Sequence, residues 1–274
     1  EVLDTQKVGN FHLHISKIKK GSINLHDRVK AEIDTERRRA IVSNHSATHL
    51  MHSALRNILG EHVQQKGSLV NEEKLRFDFS HKQKLSESEI VKIEQEVNQA
   101  ITSAEDTQII ETSIEESQKL GAIAFFGEKY GDQVRVLKIA GDYSTELCGG
   151  THVKNSSEIK SFKIISETSI SSGVRRIEAI SGDLAIKDKA DNKTDLLNTA
   201  ETFNVSVKDL PIFLKDKIKL INSYKEDLKK YEQKIYQNLL DDLKVSYKSV
   251  GKINIIAKRI DNLNLSKLRG SLDS

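Results

Sequence analysis

The stretch "ERRRAIVSNHSATHLMHSALRNILG", residues 36–60, decides the fold of the region that carries the chemistry. Its apolar residues recur at the spacing of one helix face. That stripe comprises Ile41, Leu50, Ala54 and Ile58. Asp34 and Thr35, immediately before the stretch, are suitable N-cap residues, and Gly60 is a suitable C-terminal stop. We therefore predict one long amphipathic helix between these boundaries.

Two histidines lie four residues apart on this helix. His45 and His49 project from the same face one turn apart, so both imidazoles can reach one cation. Zinc-protease helices carry a glutamate directly after the first histidine as general base, whereas Ser46 stands there in this sequence. The pattern therefore favours a metal site and disfavours peptide hydrolysis.

A second candidate pair lies in "CGGTH", where the single cysteine, Cys148, precedes His152 by four residues. The two glycines between them allow a tight loop to fold around an ion. His45, His49, Cys148 and His152 together make a tetrahedral zinc set, one ion per chain. The alternative is that the histidines are structural residues of the core. Four protein ligands are typical of a closed structural zinc, whereas catalytic zinc keeps one position open, and the sequence leaves both possibilities open.

Strand patterns surround the helix without a regular alternation of strand and helix. Alternating apolar residues predict strands in "FHLHISKI", "RVKAEI", "LRFDF", "SFKIISE" and "VRRIEAIS", and the run after Gly131 and Asp132 predicts another. Ser86 with Glu89 spells a capping box before a further helix. The pattern indicates an α+β fold with a mixed or antiparallel sheet.

The composition shifts beyond Gly182 to a helical pattern rich in lysine and aspartate. Apolar residues there follow a near-heptad spacing, which predicts a long helical hairpin or coiled coil. These residues are Leu214, Ile218, Ile221, Leu228, Tyr231 and Ile235. We predict four regions: 1–34 with the first strands, 35–182 with the candidate metal site, 183–250 with the helices, and 251–274 as the start of a further domain.

The charge balance and the lack of long apolar runs bound the class of protein. The chain has 274 residues and a formal net charge of +3, which permits contact with nucleic acid without requiring it. A single cysteine allows no intrachain disulfide, and no apolar run approaches the roughly 20 residues of a membrane span. We expect a cytoplasmic protein without a membrane partner. Because the chain starts at Glu1 and its last region is short, we also expect a piece of a longer protein.

Several motifs in order resemble one family. "NHSATHLMHSALRNILGEHVQQKGSLV", "LRFDFSH", "EKYG", "ELCGGTHV" and "GVRRIEAISG" together are similar to the editing domain of alanyl-tRNA synthetases, over residues 44–182. The preceding strands resemble part of the small β-barrel ahead of that domain. The long helices resemble its linker to the C-terminal domain, whose beginning is the last region. The glycine that commonly follows the "GGTHV" loop in the family is absent here from "VKNSSEIKSF".

The resemblance implies a hydrolase that removes serine or glycine wrongly esterified to alanine tRNA, with zinc held by the four residues above. Carried over residue by residue, Thr48 is expected to recognise the serine hydroxyl and Gln65 to line the pocket. The implied partner is mischarged tRNA(Ala), and a homodimer through the C-terminal helices is expected. ATP would serve only an aminoacylation domain, which this chain lacks, so the chain itself should not charge tRNA. Whether zinc would polarise the ester carbonyl, activate water or anchor the substrate stays open.

Alternative interpretations remain for the residues and for the whole chain. Thr48 can be a small residue packed in a helix and Gln65 an ordinary loop amide. His52 is a candidate partner of a ligand, although exposure or core packing is the simpler prediction. A free-standing editing protein, the editing domain of threonyl-tRNA synthetase and a noncatalytic zinc-stabilised RNA-binding module are the alternative functions.

Overall fold

The computed structural model describes residues 1–9, 11–124 and 131–257, in which helices and antiparallel sheets are both present. The predicted α+β class, with antiparallel sheets and a long helix, is therefore confirmed. The chain divides into two units, Glu1–Asp188 and a second that begins at Lys189. All four candidate metal ligands lie in the first unit.

The first unit contains nine described strands, a 3-10 helix, three complete α-helices and the start of a fourth. The strands are β1 (Val2–Val8), β2 (Phe11–Ser16), β3 (Gln65–Val70), β4 (Leu75–Ser80), β5 (Gln108–Ser113), β6 (Gln133–Ile139), β7 (Ser144–Leu147), β8 (Phe162–Ser171) and β9 (Val174–Ser181). The helices are α1 (Thr35–Leu59), α2 (Glu87–Thr102), α3 (Ile114–Lys119), the 3-10 helix (Ser156–Ile159) and α4 (Gly182–Thr202), which continues into the second unit.

The ends of α1 and α2 follow the capping chemistry that the sequence predicts. Asp34 is the N-cap of α1, and its side chain accepts a hydrogen bond from the backbone N–H of Arg37 at 2.9 Å. Gly60 ends α1 with a positive φ of 113°, and its N–H donates to an α1 carbonyl. In α2, Ser86 and Glu89 form both bonds of a capping box. These predictions are confirmed, because capping depends on residues that are neighbours in sequence.

A four-stranded antiparallel sheet packs against α1 and α2. Its strand order is β3-β4-β9-β8, so the predicted strands "LRFDF" and "VRRIEAIS" lie side by side in its centre. Phe77 of β4 faces Ile177 of β9 in register, and both are fully buried. Leu50, Met51 and Leu55 of α1 pack into the same core. Fully burying an apolar side chain of this size contributes about 1.5–3 kcal/mol, so this core fixes the face that α1 turns inward.

A three-stranded antiparallel sheet, in the order β5-β6-β7, brings the distant "ELCGGTH" motif to α1. Strand β7 pairs with β6 from Ser144 to Leu147, and Val136 is the residue opposite Leu147. A small core of Val134, Val136 and Leu147 supports this sheet. Cys148 therefore leaves the sheet at a defined place beside the helix. Most of the "EKYG" motif lies outside the described residues.

The N-terminal region differs from the sequence prediction in one strand. Strand β2 covers the predicted "FHLHISKI" segment, but its partner is β1, which the sequence analysis missed. The prediction of a strand in "RVKAEI" is wrong, because residues 28–33 form no strand. The alternating side chains there stay exposed, with Val29 at 71% and Ile33 at 59%. Alternation alone does not make a strand without a neighbouring strand to bond.

The turn before β8 contains an uncommon backbone conformation at Lys160. Its φ of 65° and ψ of −59°, together with a 2.8 Å hydrogen bond from the N–H of Ser161 to the carbonyl of Ile159, define a γ-turn of the strained hand. Lys160 lies in the segment where the family commonly has a glycine. The chain therefore makes this turn with a residue that is less suited to positive φ.

The second unit consists of the rest of α4, α5 (Leu210–Val245), β10 (Lys248–Val250) and β11 (Ile253–Ile255), the two strands pairing antiparallel. Helix α5 covers the predicted near-heptad residues, whose side chains are exposed by 37% or more. The coiled coil stays a prediction, as does the β-barrel. Of the predicted region 251–274, residues 258–274 lie outside the described residues. Among the described helices, none combines the length and apolar character needed to cross a bilayer.

Candidate metal centre

Helix α1 presents His45 and His49 toward the "CGGTH" loop. The helix buries Ala47 and Leu50 completely, so its inner face is fixed and the two histidines emerge beside it. Their ring centroids lie 5.2 Å apart. His49 is buried at 3% exposure and His45 is half-buried. The predicted pairing of the two imidazoles on one helix face is what the helix geometry produces.

The loop from Cys148 to His152 is held by Arg135 of β6. The guanidinium donates hydrogen bonds from Nη1 to the carbonyls of Cys148, at 2.9 Å, and Gly150, at 2.7 Å. The backbone N–H of Cys148 in turn donates to the carbonyl of Arg135 at 3.0 Å. The sequence analysis missed Arg135, because an arginine inside a strand gives no signal of which carbonyls it will meet.

The two glycines of the loop have different surroundings. A Cβ at Gly150 would lie 2.2 Å from Cε1 and 2.8 Å from Nδ1 of His45, closer than any side-chain carbon can approach. A Cβ at Gly149 would meet no atom within 4 Å. Gly150 is therefore required so that the loop can pass close to the imidazole of His45, whereas Gly149 is not required for space.

The four predicted ligands converge on one point. The Sγ atom of Cys148 lies 3.3 Å from Nε2 of His152 and 3.7 Å from Nε2 of His45. One donor atom from each of His45, His49, Cys148 and His152 lies within 4.8 Å of the others. Tetrahedral zinc bonds of about 2.0–2.1 Å to nitrogen and about 2.3 Å to sulfur place such donors about 3.5 Å apart. The spacing and the three-nitrogen, one-sulfur donor set fit a metal ion and are compatible with zinc.

Charge interactions inside the cluster favour the thiolate. Burial alone would raise the pKa of the Cys148 thiol, but hydrogen bonds from the three histidines lower it to about 3. Burial and the neighbouring His49 and His45 lower the pKa of His152 to about 4, against the hydrogen bond to Cys148. At neutral pH, Cys148 and His152 are therefore already in the protonation states that a metal requires.

Ser46 orients the imidazole of His152. The Oγ of Ser46 lies 3.3 Å from Nδ1 of His152 and accepts a hydrogen bond from the N–H of Val153 at 3.1 Å. Because Ser46 is fully buried, this contact is shielded from water. Ser46 stands where zinc proteases carry their glutamate, and in this protein it contacts His152, a candidate ligand from the loop.

Glu146 is a buried carboxylate that the sequence analysis also missed. It lies two residues before Cys148 and contacts Nδ1 of both His49 and His52. Burial alone would lower the pKa of His49, but the Glu146 carboxylate raises it to about 10. Burial would raise the pKa of Glu146, but His49 and His52 lower it to about 2. His52 is therefore a buried partner of this carboxylate. A glutamate two residues before the cysteine does not by itself indicate a buried carboxylate.

A cavity of about 170 Å³ opens beside the cluster. His45, His49 and Cys148 line it together with Thr48 and Gln65, the two residues carried over from the family resemblance. The Oγ1 of Thr48 donates to the carbonyl of Asn44 at 2.8 Å, as a packed helical threonine does. Within the described residues, the half-buried Gln65 carboxamide has no hydrogen-bond partner.

Part of the site is similar to a known domain family. Residues 134–178, from β6 through the "CGGTH" loop into β9, match the family model described as "Threonyl and Alanyl tRNA synthetase second additional domain". This match covers the strands that deliver Glu146, Cys148 and His152, but not α1. Residues 134–178 are therefore similar to the second additional domain of threonyl and alanyl tRNA synthetases.

A comparison over nearly the whole chain finds more specific relatives. The chain is 43% identical over 269 residues to the alanine--tRNA ligase of Alkaliphilus oremlandii, covering 98% of this chain and 30% of the relative. It is 42% identical over 272 residues to that of Francisella tularensis subsp. novicida and 42% identical over 278 residues to that of Xanthomonas axonopodis pv. citri, covering 31% of each. The predicted resemblance to alanyl-tRNA synthetases is thus confirmed, and the chain spans about 30% of the length of these relatives.

Proposed function

We propose that this chain carries an editing site that hydrolyses the ester of serine or glycine wrongly attached to tRNA(Ala). The observation that carries the proposal is the small cavity that opens directly onto His45, His49 and Cys148. A chain similar to alanine--tRNA ligases gives that cavity a chemical context. A synthetic site built for alanine cannot fully exclude glycine, and an added hydroxyl is hard to reject, so a second hydrolytic site is needed.

Zinc is the metal that the four donors would hold. When bound, and with Cys148 yielding its position to the substrate, it would supply a Lewis acid that polarises an ester carbonyl or lowers the pKa of a water molecule. The protein's own groups have separate tasks: the cluster residues hold the ion, and the glycine-bearing loop closes over His45. The preformed thiolate of Cys148 makes the site ready for a divalent cation at neutral pH.

Thr48 and Gln65 would select and orient the acyl group. The cavity of about 170 Å³ is smaller than the roughly 300–1,000 Å³ of pockets for drug-sized ligands, so it suits a small aminoacyl group. Because the Thr48 hydroxyl hydrogen is already donated to Asn44, Thr48 would accept a hydrogen bond from the serine hydroxyl. The Gln65 carboxamide, without a partner in the described protein, would bind polar atoms of the ester or the terminal ribose.

The similarity to alanine--tRNA ligases also supports proposals for the partner and for the regions that flank the site. The partner would be mischarged tRNA(Ala), and ATP would serve only the aminoacylation domain of a longer ligase. Residues 1–34 would belong to a small β-barrel, residues 183–250 to a coiled-coil linker, and residues 251–274 to the start of a C-terminal domain. A homodimer would form through the C-terminal helical region. We propose the cytoplasm as the compartment, because a ligating thiol must stay reduced.

The rival function is a noncatalytic zinc-stabilised RNA-binding module, favoured by the presence of four ligand candidates instead of three. Metal removal distinguishes the two functions. A structural zinc site should unfold when a chelator removes the ion, whereas an editing site should lose hydrolysis while its helical circular dichroism persists. A free-standing editing protein is less well supported, because the similar proteins named above are ligases.

The direct experiment measures release of serine and glycine from Ser-tRNA(Ala) and Gly-tRNA(Ala) by the zinc-loaded chain. Thr48→Val keeps the shape but removes the hydroxyl, so we expect about tenfold slower serine release and little change for glycine. Thr102→Val is the matched control, because Thr102 makes the same bond to a carbonyl four residues earlier, but on α2. Absence of serine release by fully loaded wild-type chain would refute the editing function.

A further inference from the structure

Glu146 joins the candidate metal cluster to a fifth buried side chain. One carboxylate oxygen, Oε2, contacts Nδ1 of His49, and the other, Oε1, lies 2.7 Å from Nδ1 of His52. The three side chains are 1–4% exposed. A carboxylate in such a place is costly unless both oxygens are bonded. The two imidazoles supply those bonds, so the three groups form a single unit, here called the Glu146 bridge.

The bridge determines which nitrogen of His49 faces the cluster. An imidazole has two nitrogens, and the Nδ1–H of His49 donates to Glu146, so Nε2 is the atom that remains for the cluster. His49 also contacts the Cys148 thiol, which places its other edge on the cluster side. Glu146 lies in β7, and Cys148 directly follows the last residue of that strand. The strand that brings the thiol therefore also brings the group that orients the imidazole.

His52 fixes the carboxylate itself. It lies three residues after His49 on α1, so the two rings flank Glu146 from the same helix face. The His52 ring packs on Phe77 with a centroid separation of 5.1 Å, and Phe77 is fully buried in the core. Without His52, one carboxylate oxygen would be buried and unpaired, and the carboxylate would be free to rotate away from His49.

We infer that Glu146 and His52 are positioning residues that hold His49 with Nε2 directed at the metal. This inference rests on the proposed function insofar as the four-residue cluster binds zinc, but it does not require that the site hydrolyse an ester. Neither residue touches the metal, and His52 acts through Glu146. Partners of this kind behind a ligand typically change metal affinity by about 10- to 100-fold.

The test measures zinc affinity of the full chain by competition with a chromophoric chelator, together with the visible spectrum of the cobalt-loaded protein. Glu146→Gln should lower zinc affinity about 10- to 100-fold and shift the cobalt spectrum. Glu96→Gln is the matched control, because Glu96 also accepts hydrogen bonds from two partners, Tyr143 and Asn57, away from the cluster. It should leave both measurements unchanged.

Two variants of His52 separate positioning from packing. His52→Asn keeps an N–H close to the place of Nδ1 and should stay within about threefold of wild-type affinity, whereas His52→Leu keeps the bulk alone and should lose about tenfold. Equal zinc affinities for wild type, Glu146→Gln and His52→Leu would overturn the inference. It would also be overturned if His52→Asn and His52→Leu lost zinc affinity equally. If Glu146→Gln fails to fold, the zinc affinities of His52→Asn and His52→Leu test the inference instead.

Failure of this inference can be told apart from failure of the proposed function. A wild-type chain that binds zinc, responds to the bridge variants and releases no serine leaves the positioning role standing and refutes editing. A chain that edits with unchanged affinity in the bridge variants refutes positioning alone. A wild-type chain that binds no zinc refutes both.

Discussion

The backbone at Gly150 passes close to the ring of His45. We predict that Gly150→Ala lowers zinc affinity, because the new methyl group would lie 2.2 Å from Cε1 of His45 and must push the imidazole or the loop aside. Overpacking of this kind costs about 1–3 kcal/mol, which corresponds to about 5- to 150-fold in affinity. Competition with a chelator measures the zinc affinity of the variant. Gly149→Ala is the control with open space, and equal losses in both variants would contradict this account.

Zinc binding should depend on pH through His49. In the metal-free protein the pKa of His49 is about 10, so the ring is protonated at neutral pH and must release one proton when zinc binds. Cys148 and His152, with pKa values of about 3 and 4, release none. Proton release from His49 alone should therefore raise zinc affinity about tenfold per pH unit at pH values below its pKa of about 10. Competition assays from about pH 6 to 8 check this slope. An affinity independent of pH would show that His49 is already neutral.

At the scale of elements, Asn44 joins helix α1 to the central sheet immediately before the first ligand. Its Oδ1 accepts hydrogen bonds from the N–H and the hydroxyl of Ser181, at 3.1 and 2.8 Å, and its Nδ2 donates to the carbonyl of Asn71 at 2.9 Å. Asn44→Ala leaves these groups buried and unpaired. We expect a loss of about 2–4 kcal/mol in the free energy of unfolding, measured with urea on the metal-free chain.

Asn57 provides the control on the same helix. Its side chain is exposed, and its contacts are with Glu96, at 3.3 Å, and Tyr143, so Asn57→Ala should cost less than about 0.5 kcal/mol. If the two variants lost equal stability, the contact between α1 and β9 would not be what fixes the position of His45.

At the scale of the whole molecule, the candidate site is contained in the first unit. Every cluster residue, and both Thr48 and Gln65, lies within Glu1–Asp188. A chain that ends at Thr202 keeps α4 complete and removes most of the second unit. We expect its zinc affinity to stay within about threefold of that of the full chain, since distant and independent parts contribute separately. A loss of zinc binding would show that the site depends on the helices that follow.

Across the molecule, the sequence predicts best where the deciding contacts are local. The Asp34 cap and the box of Ser86 and Glu89 depend on residues within one turn of each other, so both are predictable. The pairing of His45 with Cys148 spans about a hundred residues, yet it was predictable because thiol and imidazole donors share one chemistry. Glu146 has no such signature, because a carboxylate at a strand end is usually solvated.

The wrong predictions have physical reasons of the same kind. Residues 28–33 alternate like a strand, but whether they form one depends on a partner strand that sequence periodicity does not reveal. The γ-turn at Lys160 depends on the packing around β8 and uses a residue with no preference for positive φ. Periodicity therefore predicts which faces are apolar, whereas the neighbour that covers each face is a property of the complete fold.

X-ray absorption at the zinc edge of the full chain, loaded with one equivalent of zinc, is the most direct test of the convergence of His45, His49, Cys148 and His152 on one ion. We predict one zinc per chain with three nitrogen neighbours at about 2.0–2.1 Å and one sulfur neighbour at about 2.3 Å. A chain that binds no zinc, or a bound zinc whose spectrum contains no sulfur neighbour, would contradict the account.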